Sequence, residues 1–376
     1  MSILKTAFWA SAGLLVYTQV GYGLLLSGLA AIARRPEDET SWEGELPTVS
    51  VIVAAYAEED VIAARVANLR ALEYPRDKVE VIVACDGSPD DTAARARLAG
   101  ADKVLELPRA GKIRAQDAAV AQSGGELLAF TDANSAWEPD ALSRLVAAFG
   151  DARVGYACGD VRFVGNGGDN QEGLYWRYEM HLRRLESALS SVTAGNGAIY
   201  ATRADSYLVV RPMMGHDISF PFKMVKRGWR AVYAVDARAS EKMAPSIEGE
   251  YARKRRMASR SWPTVILGGM LSPRGYDPMY ALMIFSHRVL RYLSPFLHVI
   301  ALGSAIALMR HGWVYGVAAA LQVLVLLAAA LARLVPLRPL LVARYYVVTT
   351  VSLATGLWDW LTGVQTAVWE PVEGTR

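Results

Sequence analysis

The sequence contains little cysteine and little charge near its two ends. Only two cysteines, Cys85 and Cys158, occur among 376 residues. They are too few for a disulfide framework or a cysteine metal cage, and they fit a reduced compartment. The net charge of +3 is too small and too scattered to indicate binding to nucleic acid. These absences exclude a disulfide-stabilised scaffold and argue against a nucleic-acid partner.

Charge is concentrated in the middle of the chain, which holds 70 of the 77 charged residues. Residues 1–33 contain one charge, Lys5, and residues 289–369 contain six. The uncharged run Ala7–Ala33 is long enough, at ~1.5 Å per residue, to cross a hydrocarbon core of ~30 Å. It is too long for the apolar part of a signal peptide. Three further membrane spans are predicted at Val289–Met309, Trp313–Val335 and Leu340–Leu361.

Basic residues beside these spans predict how the chain crosses the membrane. Arginines follow the first span and cluster at the turn before the last one: Arg34, Arg35, Arg333, Arg338 and Arg344. Positive residues mark the cytoplasmic side, so the middle section is expected in the cytoplasm, as part of a multi-pass protein of the plasma or inner membrane. Both termini then lie outside. The alternative is that the end of the last span, Trp358–Trp360, is interfacial and leaves the C-terminus inside.

A basic amphipathic segment precedes the C-terminal spans. Ile247–Leu267 combines five basic residues with apolar ones, which is typical of a helix on an anionic lipid surface. A solvated charged helix is the alternative. Pro263 and Pro273 interrupt the segment, so two short interfacial pieces are expected rather than one long helix.

In the middle section, apolar runs alternate with stretches of helical spacing. Val49–Ala55 and Val79–Cys85 have the composition of strands buried on both faces of a parallel sheet. Glu58–Leu72, between them, has the apolar spacing of a helix. Further strands are predicted at Val104–Leu107, Leu127–Thr131, Gly155–Val164 and Ala231–Val235, and helices near Asp90–Ala99, Lys112–Gln122, Pro139–Phe149 and Asp217–Arg227. This alternation predicts an α/β domain.

Polar residues follow three of the predicted strands. Glu58 comes after the first strand, Asp86 after the second, and Asp132 and Asn134 after a later one. Ligands of open α/β sheets collect beyond the carboxyl ends of the strands, so these side chains are expected in one crevice. A divalent cation with oxygen ligands would balance the converging carboxylates, and Lys112 would contact phosphate. Each cluster taken alone is also compatible with turn and N-cap residues.

Two later segments complete the set of candidates. Thr193–Ala198 is a loop of small residues before an apolar strand, which is either a simple turn or a place where a ligand approaches the backbone. His216 and Asp217 begin a predicted helix. Asp217 is either an N-cap residue or a general base whose pKa is set by burial and by His216.

These pieces, in this order, resemble the membrane-bound glycosyltransferases of family 2, which include hyaluronan, chitin and cellulose synthases. The resemblance covers residues 47–262 and is carried by Val49–Glu59, Cys85–Ser88, Phe130–Asn134, Gly195–Ala198 and His216–Asp217. It implies a GT-A fold, an α/β domain for nucleotide-diphospho-sugar transfer, joined to an all-α transmembrane region. It also implies a nucleotide-sugar donor, usually a UDP-sugar, a Mg²⁺ or Mn²⁺ ion, and inversion at the anomeric carbon.

Together with Lys112, the resemblance gives roles to individual residues. The expected donor-binding residues are Ala55, Tyr56, Glu58, Asp86, Lys112, Asp132, Arg255 and Arg256. The expected metal ligands are Asp132 and Asn134. The expected acceptor-binding residues are Gly195, Asn196, Gly197, His216 and Trp262. Asp217 matches the catalytic base.

The sequence departs from the family pattern in two ways. Asn134 stands where the DxD motif has its second carboxylate, so metal binding is expected to be weaker or to depend more on the donor's diphosphate. Residues 253–262 contain basic residues and a tryptophan but no QxxRW motif, which leaves processivity open.

Three functions follow as expectations. The first is a polysaccharide synthase that elongates and exports a polymer across the membrane. The alternatives are a transferase that adds one sugar to a lipid-linked acceptor, and a catalytically lapsed scaffold that binds a nucleotide-sugar among membrane lipids. The expected layout is an N-terminal transmembrane helix (1–35), a linker (36–46), a GT-A domain (47–246), an interfacial segment (247–288), three transmembrane helices (289–363) and a tail (364–376).

Overall fold

The computed structural model describes residues 1–33, 41–164, 171–242, 247–335 and 337–363. Its strands are β1 Val49–Ala55, β2 Val79–Asp86, β3 Lys103–Leu107, β4 Leu127–Asp132, β5 Ala136–Trp137, β6 Val154–Val164, β7 Tyr200–Arg203 and β8 Arg230–Lys242. They form one eight-stranded sheet in the order β3-β2-β1-β4-β7-β6-β8-β5. The first four strands are parallel, whereas β7 runs antiparallel to β4 and β6.

The helices of the chain follow in sequence order. They are α1 Ser2–Val16, α2 Tyr22–Ala33, α3 Ile62–Arg70, α4 Thr92–Leu98, α5 Lys112–Val120, α6 Ala141–Ala147, α7 Gln171–Leu189, α8 His216–Lys226, α9 Ile247–Leu267, α10 Pro278–Met283, α11 Leu290–Leu308, α12 Trp313–Leu331 and α13 Arg338–Leu361. The predicted strand and helix alternation of the middle section is confirmed. Helix α7 was not predicted.

Strand β1 shows why the sheet forms where the sequence predicts it. All seven of its residues are buried, because apolar layers cover both faces of the sheet. Val51 and Val53 pack in one layer, and Ile52 packs in the other. Successive side chains of a strand alternate between faces, so an uninterrupted apolar run fits a strand with two buried faces. The result is a GT-A-like α/β domain, as expected.

Four helices are long and apolar enough to cross a membrane within the described residues: Ser2–Ala33, Pro278–His311, Trp313–Leu331 and Arg338–Leu361. The first begins before the predicted Ala7 and includes Lys5. Two of them contain a π-helical turn, at Tyr17–Gly21 and Ile284–Val289. These turns face each other, since the Tyr17 hydroxyl lies 2.8 Å from Ser286 Oγ. Arg34 and Arg35, which predicted the orientation, lie outside the described residues.

The prediction of two short interfacial pieces is wrong. Ile247–Leu267 is one helix, α9, which contains Pro263 and ends before Pro273. Pro263 lies in the last turns, where a missing N–H removes one bond from a nearly finished helix. Helix α13 supports α9 at close range, because a Cβ on Gly356 would lie 2.6 Å from the Ala258 Cβ. The sequence of α9 alone does not contain this support.

An apolar cluster joins the α/β domain to the apolar helices. Its members come from α2, α7, α8, α9 and the helices that follow. The buried residues are Tyr22, Leu26, Leu182, Phe222, Trp262, Val265, Met270, Tyr280, Met283, Ile284 and Tyr292. The α/β domain is therefore packed, through α7 and α8, onto helices that are long enough to span a membrane.

Candidate active site

The carboxyl ends of β1 and β2 form one wall of a cleft. Asp86, at the end of β2, accepts hydrogen bonds from the backbone N–H groups of Ala110 and Gly111 at 2.6 and 2.9 Å. The guanidinium of Arg109 lies over the Tyr56 ring, 3.0 Å from its centre. A small cavity here is lined by Ala54, Ala55, Tyr56, Asp86 and Lys112. Four of the predicted donor-binding residues therefore meet at one place.

The next wall is built around an ion pair between Lys112 and Asp132. Lys112 begins α5 directly after Gly111, whose φ of 94° is in the region that favours glycine. A Cβ on Gly197 would lie 3.1 Å from Asp132 Oδ2 and 3.3 Å from Lys112 Nζ, so the loop of small residues passes close to the pair. Burial alone would lower the pKa of Lys112, but Asp132 and Asp217 outweigh it, and the net shift is upward.

Asp217 lies in the first turn of α8, beside this ion pair. Its carbonyl oxygen accepts the N–H of Gly195 at 2.7 Å, which ties α8 to the loop. Burial raises the pKa of the Asp217 carboxyl, and the negative charge of Asp132 adds to the rise, while Lys112 opposes it. A carboxylate whose proton affinity is raised in a cleft is suited to accept a proton from a bound hydroxyl.

His216 is buried among aromatic rings behind Asp217. Its Nδ1 lies 2.8 Å from the Tyr200 hydroxyl, and its ring stacks on Phe220 with 4.0 Å between centres. Burial, with a smaller contribution from Lys112, lowers the pKa of His216 to about 3. The imidazole is neutral near pH 7. Of the two expected influences on the pKa of Asp217, burial and His216, burial is the largest cause of the shift. The charge beside Asp217 is that of Lys112.

Glu241 is a site residue that the sequence reasoning missed. It is the penultimate residue of β8 and pairs with Phe163 of β6. Burial raises the pKa of the Glu241 carboxyl to about 7, and the charge of Asp132 adds to the rise. The predicted strand stopped at Val235, which left Glu241 outside the set of strand ends. A longer strand prediction would have found it.

Two of the predicted site residues, Asn196 and Glu58, form hydrogen bonds within the protein. The Asn196 side chain donates to Gly159 O at 2.7 Å and accepts the N–H of Ile199 at 2.9 Å, so it fixes the shape of the loop. Glu58 is buried, and its backbone N–H donates to Thr92 Oγ1 at 2.9 Å. Their assignments to acceptor and donor binding stay predictions.

Helix α9 presents its basic residues in two directions. Arg255 forms two hydrogen bonds of 2.6 Å with Asp359 of α13, and the Trp262 indole donates to Leu353 O of α13 at 2.9 Å. These contacts direct both residues to α13, so their predicted ligand contacts gain no support. Arg260 has a pKa lowered by burial and by Arg256, with Asp217 acting in the opposite sense. Arg256 and Arg260 therefore belong to the side of α9 that approaches the cleft.

A second buried group of charges lies between α7 and the Pro278–His311 helix, and we call it the junction cluster. It comprises Glu179, Glu186, His287, Arg288 and Arg291. The His287 ring nitrogens lie 2.6 Å from Glu186 and 3.3 Å from Glu179. Arg291 pairs with Glu179.

The junction cluster reaches the loop of small residues. Arg288 Nε donates to Thr193 Oγ1 at 2.9 Å, and the backbone N–H of Thr193 donates to Glu186 at 3.0 Å. Tyr22 of the first apolar helix donates to Glu186 at 2.7 Å. The start of the loop is thus fixed from the side of the apolar helices.

The chemistry of the cleft fits a divalent cation. Lys112 is the ammonium around which the carboxylates of Asp132, Asp217 and Glu241 gather. Carboxylate and amide oxygens, the latter from Asn134, are ligands that Mg²⁺ and Mn²⁺ accept. Among the residues that the structure describes, no three His, Cys, Asp or Glu side chains form a complete cage. Additional oxygens, such as those of a diphosphate, would therefore have to complete the coordination.

The chain is similar in sequence to a known family and to several known proteins. The sequence profile described as "Glycosyl transferase family 2" matches residues 50–207. The beta-monoglucosyldiacylglycerol synthase of Trichormus variabilis is 36% identical over 160 residues, which cover 40% of this chain and 34% of the relative. An N-acetylglucosaminyltransferase of Rhizobium leguminosarum bv. trifolii is 30% identical over 178 residues, covering 43% of this chain and 93% of the relative. The chain thus spans about a third of the first relative's length.

The fold is also similar to that of a solved structure over nearly the whole chain. That structure is the mannosyltransferase PcManGT from Pyrobaculum calidifontis in complex with GDP-Man and Mn²⁺, with a TM-score of 0.74 and 22% identity. The match covers 96% of this chain and 100% of that one. At 22% identity the likeness supports a shared fold alone, and this fold includes the apolar helices.

Proposed function

We infer that this chain, which belongs to glycosyl transferase family 2, transfers a sugar from a nucleotide-sugar donor to an acceptor hydroxyl at a membrane surface. One observation carries the inference. The Tyr56 and Asp86 cavity, the Lys112 and Asp132 ion pair and the Asp217 carboxyl lie in a single cleft on the α/β domain. Side chains that can flank a nucleoside, charges for a diphosphate and a base for a hydroxyl are the three parts that this transfer needs.

The donor is oriented by the strand ends. We assign the nucleoside to Tyr56 and Asp86, and the diphosphate to the surroundings of Lys112 and Asp132. Asp132 and Asn134 would hold a Mg²⁺ or Mn²⁺ ion. When bound, that ion would stabilise the negative charge that develops on the leaving diphosphate. Lys112 would contribute to the same stabilisation once it exchanges Asp132 for a phosphate oxygen.

The transfer proceeds by in-line displacement with inversion. Asp217 accepts the proton of the acceptor hydroxyl as its oxygen forms a bond to the anomeric carbon. The bond from that carbon to the diphosphate oxygen breaks on the opposite side, and the electron pair leaves with the diphosphate. The raised pKa of Asp217 favours this role, because a more basic carboxylate takes the proton more readily.

We propose that the acceptor is carried by a lipid and receives one sugar. Ile218, the residue after Asp217, packs against the apolar cluster that includes Tyr292, and Tyr292 is part of an apolar helix long enough to span a membrane. The Trp262 indole donates a hydrogen bond to α13, and the chain lacks a QxxRW motif. A relative is named a synthase of monoglucosyldiacylglycerol, which is a lipid. The polymer synthase that the sequence favoured becomes the second candidate, because the family resemblance of the flanking spans is its remaining support.

The proposed setting is a multi-pass membrane protein with its α/β domain in the cytoplasm. Within the part of the chain that the structure describes, four helices are long and apolar enough to span a bilayer. Arg333 and Arg344 lie at the two sides of one turn between such helices, where positive charge favours the cytoplasmic face.

Release of nucleotide by the purified protein tests the proposal. The protein in detergent with a lipid extract is offered UDP- and GDP-sugars, with Mg²⁺, Mn²⁺ or a chelator. We expect metal-dependent release from one donor and a single sugar in the organic phase. A ladder of long water-soluble chains would support the polymer synthase instead. Binding of donor without any release under these conditions would support the non-catalytic scaffold.

A further inference from the structure

The end of β8 lies beside the predicted metal-binding segment. Strands β5 and β8 pair antiparallel, with Ala136 opposite Ser240 and Trp137 opposite Ala239. In an antiparallel pair, one step back on one strand faces one step forward on the other. The residues that precede β5 therefore approach Glu241, which follows Ser240. Those preceding residues are the segment from Asp132 to Ser135.

The charges around Glu241 agree with this placement. Asp132, Lys112 and Arg65 all act on the Glu241 carboxyl, as does Arg253 at the start of α9. Arg65 already donates to Thr131 Oγ1 at 2.7 Å, and Lys112 already pairs with Asp132. Among the described residues, the Glu241 carboxyl forms no hydrogen bond or ion pair of its own.

Glu138 on the same rim provides a contrast. Its carboxylate lies 3.8 Å from Arg162 and 3.7 Å from Arg238, so it has cationic neighbours of its own. Glu241 instead shares Lys112 with Asp132 and Asp217, so three carboxylates surround one ammonium. Such an excess of negative charge costs free energy unless a further cation balances it.

We propose that Glu241 is a ligand of the divalent cation and supplies the carboxylate that Asn134 lacks. The proposal rests on the metal-dependent donor binding proposed above. The ion would take oxygens from Asp132, Asn134 and Glu241, and the donor's diphosphate would complete its coordination. Lys112 would release Asp132 when the ion binds and would turn to the diphosphate. The second negative charge of the site then comes from β8 rather than from the segment after β4.

Mn²⁺ binding to the intact protein tests the proposal without turnover. The dissociation constant for Mn²⁺ is measured by electron paramagnetic resonance or calorimetry at pH 8, with and without UDP. We expect E241Q to weaken binding about tenfold or more, as is common when a metal site loses a carboxylate contact. E138Q is the matched control, and it should bind Mn²⁺ like the unmodified protein.

A compensating variant makes the test specific. If Glu241 replaces the missing carboxylate, then N134D in the E241Q background restores the Mn²⁺ affinity that E241Q loses. Equal Mn²⁺ affinity of E241Q and the unmodified protein would overturn the proposal, and so would a double variant no better than E241Q. Thermal unfolding of every variant verifies that it is folded. Nucleotide release by the unmodified protein is scored separately, so an active enzyme whose Mn²⁺ affinity ignores Glu241 refutes this inference and leaves the proposed function standing.

Discussion

The cleft and the junction cluster are two groups of shielded charges with opposite character. In the cleft, the pKa values of Asp217 and Glu241 are raised, because burial is not offset by enough positive charge. In the junction cluster, the pKa of Glu186 is lowered to about 2 even though burial acts to raise it, because His287 and Arg288 outweigh burial. Ion pairs that are completed within the protein stabilise the contacts between its elements. Carboxylates without enough cationic partners are instead suited to bind a ligand.

The largest expected effect is on catalysis in the cleft. Asp217→Asn keeps the shape of the side chain but removes its ability to accept a proton. We expect kcat to fall by about 10³-fold, within the range for loss of a general base. Donor affinity, measured by calorimetry with UDP and Mn²⁺, should stay within a factor of about two if the residue acts on the proton alone. Near-normal turnover would remove Asp217 as the base.

In the junction cluster the same kind of change should affect stability. Glu186→Gln removes the carboxylate that pairs with His287 and whose charge Arg288 helps to balance, so we expect a loss of about 3–5 kcal/mol in unfolding free energy. Glu106→Gln, which breaks an exposed pair with Arg97, is the control and should cost under about 1 kcal/mol. Denaturant unfolding in detergent measures both. If Glu186→Gln were as stable as the control, the junction cluster would not be a group of charges that stabilises the fold.

Changing the Lys112 ammonium of the cleft should act on two ligands in opposite directions. Lys112→Met leaves Asp132 without its cation, so Mn²⁺ alone is expected to bind more tightly, whereas UDP loses a phosphate contact and binds about tenfold more weakly. Titrations with each ligand alone measure the two changes. A loss of affinity for both ligands would mean that Lys112 shapes the site rather than balancing its charge.

The smallest expected effect is a pH-dependent difference in melting temperature without metal. The folded-state pKa of Glu241 is raised to about 7, so its contribution to stability is present at low pH and is lost as the pH rises through 7. Glu241→Gln should therefore melt higher than the unmodified protein at pH 8, by on the order of 3 °C, and the difference should shrink at pH 5. Differential scanning fluorimetry measures it.

The junction cluster should show the opposite pH dependence. The pKa of Glu186 is lowered to about 2, so its contribution is present at neutral pH and is lost on acidification below the ordinary range of a glutamate. A melting temperature that rises steadily from pH 4 to pH 2 would contradict the pairing described for Glu186.

Local patterns in the sequence predict the sheet well and the contacts between distant segments poorly. The strands β1, β2 and β4 are recognised because each is an apolar run buried on both faces, and the polar residue after each one is local to it. The continuity of α9 depends on its contact with Gly356, almost a hundred residues away along the chain. Glu241 was missed because β8 pairs beyond Val235 with both β6 and β5.

The junction cluster escaped sequence reasoning for a related reason. Glu179 and Glu186 lie on α7, which shows no long apolar run. His287 lies in the Pro278–His311 helix, which is recognised by its hydropathy rather than by its polar residues. Their pairing depends on how two helices more than a hundred residues apart along the chain meet. The loop from Thr193, in contrast, was recognised as unusual from its small residues, and the structure adds what holds it.

The π-helical turns at Tyr17–Gly21 and Ile284–Val289 determine the direction in which the side chains after them point on two apolar helices. Each such turn contains one extra residue and so rotates the following side chains by roughly 100° relative to an uninterrupted α-helix. Tyr22 comes directly after the first turn, and His287 lies within the second. Deleting one residue from either turn would leave the hydropathy profile nearly unchanged but would turn a polar side chain away from Glu186. Insertions and deletions that a membrane-topology prediction tolerates are therefore expected to be among the most damaging in this protein.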